Sequence, residues 1–192
     1  MITQKCPLIL ASGSPRRREI LDTMGLAYSV DASDADESFV GLPEDMVLEL
    51  SRRKAQAVAS RHSGAIILAA DTLVFSDEVL GKPNSAEDAK RMLAELSGRW
   101  HSVYTGVTLM DTRSGRMLSR ADVTRVHFIP MTLEEIDGYV ATGEPFGKAG
   151  AYAIQGRGGM LIDRIEGSYS NVVGLPMALV RSMLLELDEA AE

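Results

Sequence analysis

The chain has 192 residues, 45% of them apolar and 24% charged, with a formal net charge of −7. Such a length suits one domain with a real core, and such a composition leaves no case for disorder. The acidic balance excludes a general nucleic-acid coat, which needs a broad basic surface, so any anion must be held locally.

The single cysteine, Cys6, excludes an intramolecular disulfide framework and a multi-cysteine zinc site, and fits a reducing compartment. No apolar run reaches the length of a membrane span, and MITQKCPLIL lacks the apolar core and cleavage site of a signal peptide. The expectation is a cytoplasmic protein with neither membrane nor nucleic acid as partner.

In chain order, Leu8 to Ala11 reads as a short buried strand, and Pro15 opens a helix to Met24 with Gly25 as its stop. Leu26 to Val30 returns as a strand. The acidic loop DASDADES then leads through Pro43 to a helix over residues 44–60. Gly64 to Phe75 is a β-rich run interrupted by one acid. Ser85 to Leu96 reads as a helix, with Ser85 and Asp88 spaced for a capping-box-like start and Gly98 as the stop. Ser102 to Met110 and Leu118 to Ile129 form a hairpin around the Ser-Gly turn of DTRSGRM. Thr132 and Glu135 mark a further helix start, running to Thr142, and a last helix begins at Pro176; the glycine-rich GEPFGKAGAYAIQGRGGM lies between them. Strands and helices alternate around one long hairpin, which implies an α/β fold with a mixed sheet.

The segment LILASGSPRRRE raises the first functional question. Amides around Ser12 to Arg17 lie at a helix N-terminus, where unsatisfied N–H groups and the helix dipole favour an anion. Arginines there are disfavoured by that dipole unless a polyanion is bound; the plain alternative is a solvated charge run. Spacing divides them. Arg18 is four residues from Asp22 and can pair with it, whereas Arg16 and Arg17 are four before Ile20 and Leu21, on the apolar side. The loop is neither a Walker A sequence nor a dinucleotide fingerprint.

Helix 44–60 places Lys54 between Leu50 and Val58 in a stripe that also includes Val47. A lysine there either snorkels to an edge or meets an anion. Asp71 ends the run AIILAA and is expected at or near the carboxyl end of a buried strand, as general base, metal ligand or merely a cap of the next turn. Glu37 in DADES is either surface or a partner of Asp71 around a divalent cation. Lys82 in LGKP, with Lys148 and Gln155 in the glycine-rich region, are loop residues with the same two readings. His62, His101 and His127 make no metal-binding spacing and are expected to be structural.

Together SGSPRR at 12–17, AADT at 69–72, GKP at 81–83, YTG at 104–106, GKAGAYAIQG at 147–156 and GSYSNVVGLP at 167–176 resemble the Maf family of nucleoside triphosphate pyrophosphatases. The resemblance implies one Maf-like domain over residues 1–192, built as an elongated mixed β-sheet flanked by helices, with two lobes around a cleft and an architecture related to inosine triphosphate pyrophosphatases. It implies hydrolysis between the α- and β-phosphates with a divalent cation, Mg²⁺ or Mn²⁺. Carried over by position, the proton acceptor falls on Asp71 and the specificity residues on Arg16, Thr72 and Gln155. Supporting polar residues fall on Ser14, Arg17, Glu37, Lys54 and Lys82, and Lys148 joins the substrate-binding set.

The form KAGAYAIQG resembles the branch acting on dTTP and UTP, and Gln155 suits base reading because an amide both donates and accepts. The rival readings are the same reaction on a modified nucleotide or 7-methyl-GTP, and a non-catalytic nucleotide-binding regulator of septum formation. Homodimers are common in proteins that look like this one.

Overall fold

A computed structural model describes residues 4–189. Its strands are β1 (Leu8–Leu10), β2 (Tyr28–Val30), β3 (Ile66–Phe75), β4 (Val79–Leu80), β5 (Trp100–Asp111), β6 (Met117–Phe128) and β7 (Ile162–Glu166). They make one seven-stranded sheet in the order β2-β1-β3-β5-β6-β7, with β4 paired to β3. The helices are α1 (Pro15–Thr23), α2 (Pro43–Ala59), α3 (Ala86–Leu96), α4 (Leu133–Ala141), α5 (Tyr169–Val173) and α6 (Met177–Glu189). The sheet is mixed: β1 runs parallel to β2 and β3, whereas β3–β4 and β6–β7 are antiparallel. Among the described residues no helix is long and apolar enough to cross a membrane.

The chain divides into two compact units, the first comprising 1–71, 105–122 and 174–192 and the second 72–104 and 123–173. In the first, Ile9, Ala11, Ala55, Val58, Ile67 and Ala69 form a core of small and β-branched side chains between α2 and the parallel strands. Small residues let the helix approach closely. Gly106 on β5 shows how closely, because a Cβ there would overlap the Val47 carbonyl of α2. The same face carries a hydroxyl chain: Ser51 meets Thr108 at 2.8 Å, and Thr108 meets Ser119 at 2.9 Å. Each of these three hydroxyls thereby has a partner, and α2 is held in one register against β5.

The second unit buries Leu80, Met92, Leu93, Leu96, Phe128, Ile136 and Tyr152 in its own core. His101 belongs to it, 3% exposed, with Nε2 2.9 Å from the Tyr152 hydroxyl and its ring edge-on to Phe128. Burial pulls its pKa down to about 3, so the ring is neutral. The expectation of structural histidines also fits His62, which pairs with Asp31 at 2.7 Å, and His127, which pairs with Asp163 at 2.6 Å.

Most helix starts follow the sequence signals. Thr132 and Glu135 form a full capping box. Ser85 accepts from the Asp88 amide, but the Asp88 carboxylate turns to the Asn84 amide, which leaves half a box. Among the described strands and α-helices, β4, β7 and α5 were not anticipated; each has five residues or fewer, too short to express a period.

Candidate active site

The first unit gathers most of the expected residues. Strand order β2-β1-β3 reverses direction at β1, which creates a switch point beside the carboxyl end of that strand. There the chain leaves β1, the Ala11 amide still bonding the Leu68 carbonyl at 2.8 Å, and enters α1 with Ser14 as N-cap and Pro15 at N1. Helices α2, α3 and α4 each carry two acidic residues in the first turn, as the dipole favours. Helix α1 carries none and has Arg16 and Arg17 instead.

The arginines separate, though not wholly as their spacing suggests. Arg17 donates from Nε to the Gly174 carbonyl at 2.9 Å and from Nη1 to Ser12 Oγ at 3.0 Å. Burial lowers its pKa, with Asp71 and Glu37 acting upward and Arg16 downward, so all four side chains share one electrostatic neighbourhood. The expected Arg18–Asp22 pair is not formed: Arg18 donates to the Gly13 carbonyl at 3.0 Å, and Asp22 accepts from the Tyr28 hydroxyl at 3.0 Å. An exposed ion pair is worth a few tenths of a kcal/mol, too little to outbid either hydrogen bond.

Lys54 resolves its two readings in favour of an anion. It lies on the inner side of α2 with Val47, Leu50 and Val58 buried around it. Its Nζ meets Asp71 Oδ1 at 2.6 Å and Glu37 Oε1 at 2.8 Å. The side chains of Lys54 and Asp71 are 12% and 14% exposed, that of Glu37 56%. The first contact is therefore a desolvated pair and the second lies at its rim.

Asp71 requires a correction. It is the sixth residue of a ten-residue strand rather than a strand end. The apolar pattern resumes after Thr72 with Leu73, Val74 and Phe75, so the ladder continues through the polar pair. The carboxyl-end rule holds through the neighbouring strand: β1 stops at Leu10, opposite Leu68, three residues before Asp71.

The second unit holds Thr72, Lys82, Lys148 and Gln155. The LGKP turn and the KAGA segment are joined where the Gly150 amide bonds the Gly81 carbonyl at 3.1 Å. Gly150 has a φ of 67°, and a Cβ there would press on Val74 at 2.9 Å, so only glycine fits. Thr72 is half-buried and Lys82 exposed. Lys148 Nζ donates to the Glu144 carbonyl at 2.5 Å and the Phe146 carbonyl at 3.5 Å. Gln155 is exposed on a turn, and its side-chain amide makes no hydrogen bond among the described residues.

Sequence reasoning passed over Glu144. Its carboxylate accepts from the Tyr139 hydroxyl at 2.8 Å and from the amides of Arg157 at 3.0 Å and Gly158 at 2.9 Å. Burial pushes its pKa up, but those donations and the charge of Lys148 outweigh it and hold the carboxyl below its ordinary range. The signal for it was Gly156, Gly158 and Gly159, three glycines in four residues, a density that asks what the main chain must approach.

Among the described residues no group of three or more His, Cys, Asp and Glu is placed to hold a metal ion. The donor chemistry of Glu37 and Asp71 nonetheless fits Mg²⁺ or Mn²⁺, because such ions are commonly held by one or two carboxylates, completing their shell with water and substrate phosphates. Two carboxylates already converge on one cation, the Lys54 ammonium.

Residues 7–187 match the family model described as Maf-like protein, so the chain belongs to the Maf family. Among curated relatives, the chain is 47% identical over 175 residues to the dTTP/UTP pyrophosphatase of Halalkalibacterium halodurans, covering 90% of this chain and 91% of that one. It is 50% identical over 180 residues to the protein of that name from Myxococcus xanthus, covering 92% and 90%. The corresponding protein of Anaeromyxobacter dehalogenans is 50% identical over 182 residues, 92% of each chain.

Proposed function

We propose that this protein hydrolyses dTTP and UTP to the monophosphate and pyrophosphate, working as a single Maf-like domain in the cytoplasm. The observation that carries the reading is the Lys54–Asp71–Glu37 constellation beside an arginine-bearing helix N-terminus. Relatives 47–50% identical over nine-tenths of the chain bear the corresponding name, which supports the same substrates.

In the first unit, Ser14, Arg16 and Arg17 with the amides of their loop bind phosphate oxygens. Lys54 orients Asp71 by holding Oδ1 at 2.6 Å, which leaves Oδ2 to take a proton from the attacking water. The α–β phosphoanhydride bond breaks, and its electron pair leaves with pyrophosphate. Fixed positive charge stabilises that leaving group in the transition state more than in the ground state, the form of help phosphoryl transfer uses most. A divalent cation held by Glu37 and Asp71 would supply further charge neutralisation when bound. In the second unit, Lys82 and Lys148 serve the substrate's charge, while Thr72 and Gln155 set the choice of base.

The test is a panel of dTTP, UTP, CTP and 7-methyl-GTP incubated with purified protein and Mg²⁺, with pyrophosphate measured directly. Preferential release of pyrophosphate from dTTP and UTP is expected. Formation of dTDP and inorganic phosphate would refute the bond assignment, and preference for 7-methyl-GTP would refute the substrate.

A further inference from the structure

The turn that carries Gln155 is closed at both ends by one pair of side chains. Before it, the Ala153 amide donates to the Tyr139 hydroxyl at 3.1 Å; after it, the Arg157 and Gly158 amides donate to the Glu144 carboxylate. Tyr139 in turn donates to Glu144 Oε1 at 2.8 Å, so the two clamps are one unit. Tyr139 is 6% exposed and packed in the second core, which anchors the clamp to α4. The main chain is drawn so close that side chains are excluded. A Cβ on Gly156 would overlap the Glu144 carboxylate, and one on Gly158 would lie 2.6 Å from the Tyr139 hydroxyl.

We propose that Glu144 is a positioning residue for substrate choice: with Tyr139 it immobilises the 153–158 turn, so that the Gln155 amide meets the pyrimidine edge from one fixed point. This rests on the reading of Gln155 as the base-reading residue. An amide on a loop is a poor discriminator unless the loop is held to within about half an ångström, which requires a supporting layer of hydrogen bonds. Glu144 supplies charge-assisted bonds to consecutive amides, about twice as strong as neutral ones, and it does so without touching the base itself.

The experiment compares kcat and KM for dTTP and dCTP in the wild type, Glu144→Gln, Tyr139→Phe, Gln155→Ala and the Glu144→Gln/Gln155→Ala double variant, with thermal unfolding of each. In Glu144→Gln the preference for dTTP is expected to fall about tenfold, through KM more than kcat. Tyr139→Phe should erode it in the same direction, and the double variant should discriminate no worse than Gln155→Ala, since both changes act through one turn. If Gln155→Ala loses discrimination while Glu144→Gln and Tyr139→Phe keep it, the positioning role is overturned and base reading by Gln155 survives. Unchanged discrimination in Gln155→Ala would overturn both. A lower kcat for both nucleotides with unaltered KM and preference would mark a merely structural residue and equally overturn the proposal.

Discussion

Lys54 Nζ lies 2.6 Å from Asp71 Oδ1, a contact between residues 17 apart in sequence that joins the inner face of α2 to the middle of β3. Neither side chain is accessible enough for water to replace the other. Removing one partner from such a pair is ordinarily costly because the remaining charge is stranded. Here Glu37, 2.8 Å from the same ammonium, provides a second partner and relieves that cost.

Asp71→Asn should therefore separate activity from stability. Lys54 keeps Glu37, so the unfolding temperature should move little. Loss of the proton acceptor should lower pyrophosphate release from dTTP by about 10²- to 10⁴-fold at saturating Mg²⁺. Turnover at the wild-type rate would remove Asp71 from the role of base.

Glu37→Gln should act on metal dependence rather than on proton transfer. The amide keeps the shape but loses the charge that would hold a hard cation, so the Mg²⁺ concentration for half-maximal rate should rise about tenfold or more. A titration of rate against Mg²⁺ tests this, and an unaltered midpoint would show that Glu37 serves only as a partner of Lys54.

What the sequence made legible followed from features that act locally. Lys54 in an apolar stripe, Pro15 before a basic turn and the Thr132–Glu135 box each need only a few neighbouring residues to be read, and each is found as expected. What it hid depends on partners distant in the chain. Arg17 bonds Gly174, and Glu144 clasps a turn 13 residues ahead. Asp71 was misplaced within its strand because a polar residue ending an apolar run resembles a boundary, whereas β3 keeps its ladder through it. Strand β7 eluded the pattern because its sequence, IDRIE, has apolar residues three apart, a spacing that breaks strand alternation and suits a helix turn, in a span too short to decide between them.

His101 makes a prediction about acid stability. The folded chain holds its imidazole neutral with a pKa of about 3, whereas the unfolded chain has the ordinary value near 6.5. Between those limits the unfolded state binds the extra proton, so stability is fully present above about pH 6.5 and declines as pH falls towards 3. The slope from this residue is at most about 1.4 kcal/mol per pH unit. In His101→Phe, which retains the aromatic packing, the urea midpoint should depend less on pH between 6 and 4 than in the wild type. Parallel slopes would show that His101 contributes nothing to that decline.

Gly106→Ala tests how far the site depends on the approach of α2 to β5. The added methyl group meets backbone, the Val47 carbonyl and the Leu48 amide, rather than a flexible side-chain end, so the helix must shift. Overpacking of this kind typically costs about 1–3 kcal/mol, which urea denaturation would detect as a lower midpoint at unchanged slope. Activity should fall further than stability, because Lys54 lies two turns beyond Val47 on the same helix and its reach to Asp71 is set by where α2 sits. Full activity in a destabilised Gly106→Ala protein would mean that the Lys54–Asp71 contact tolerates movement of the helix, and that the glycine serves packing alone.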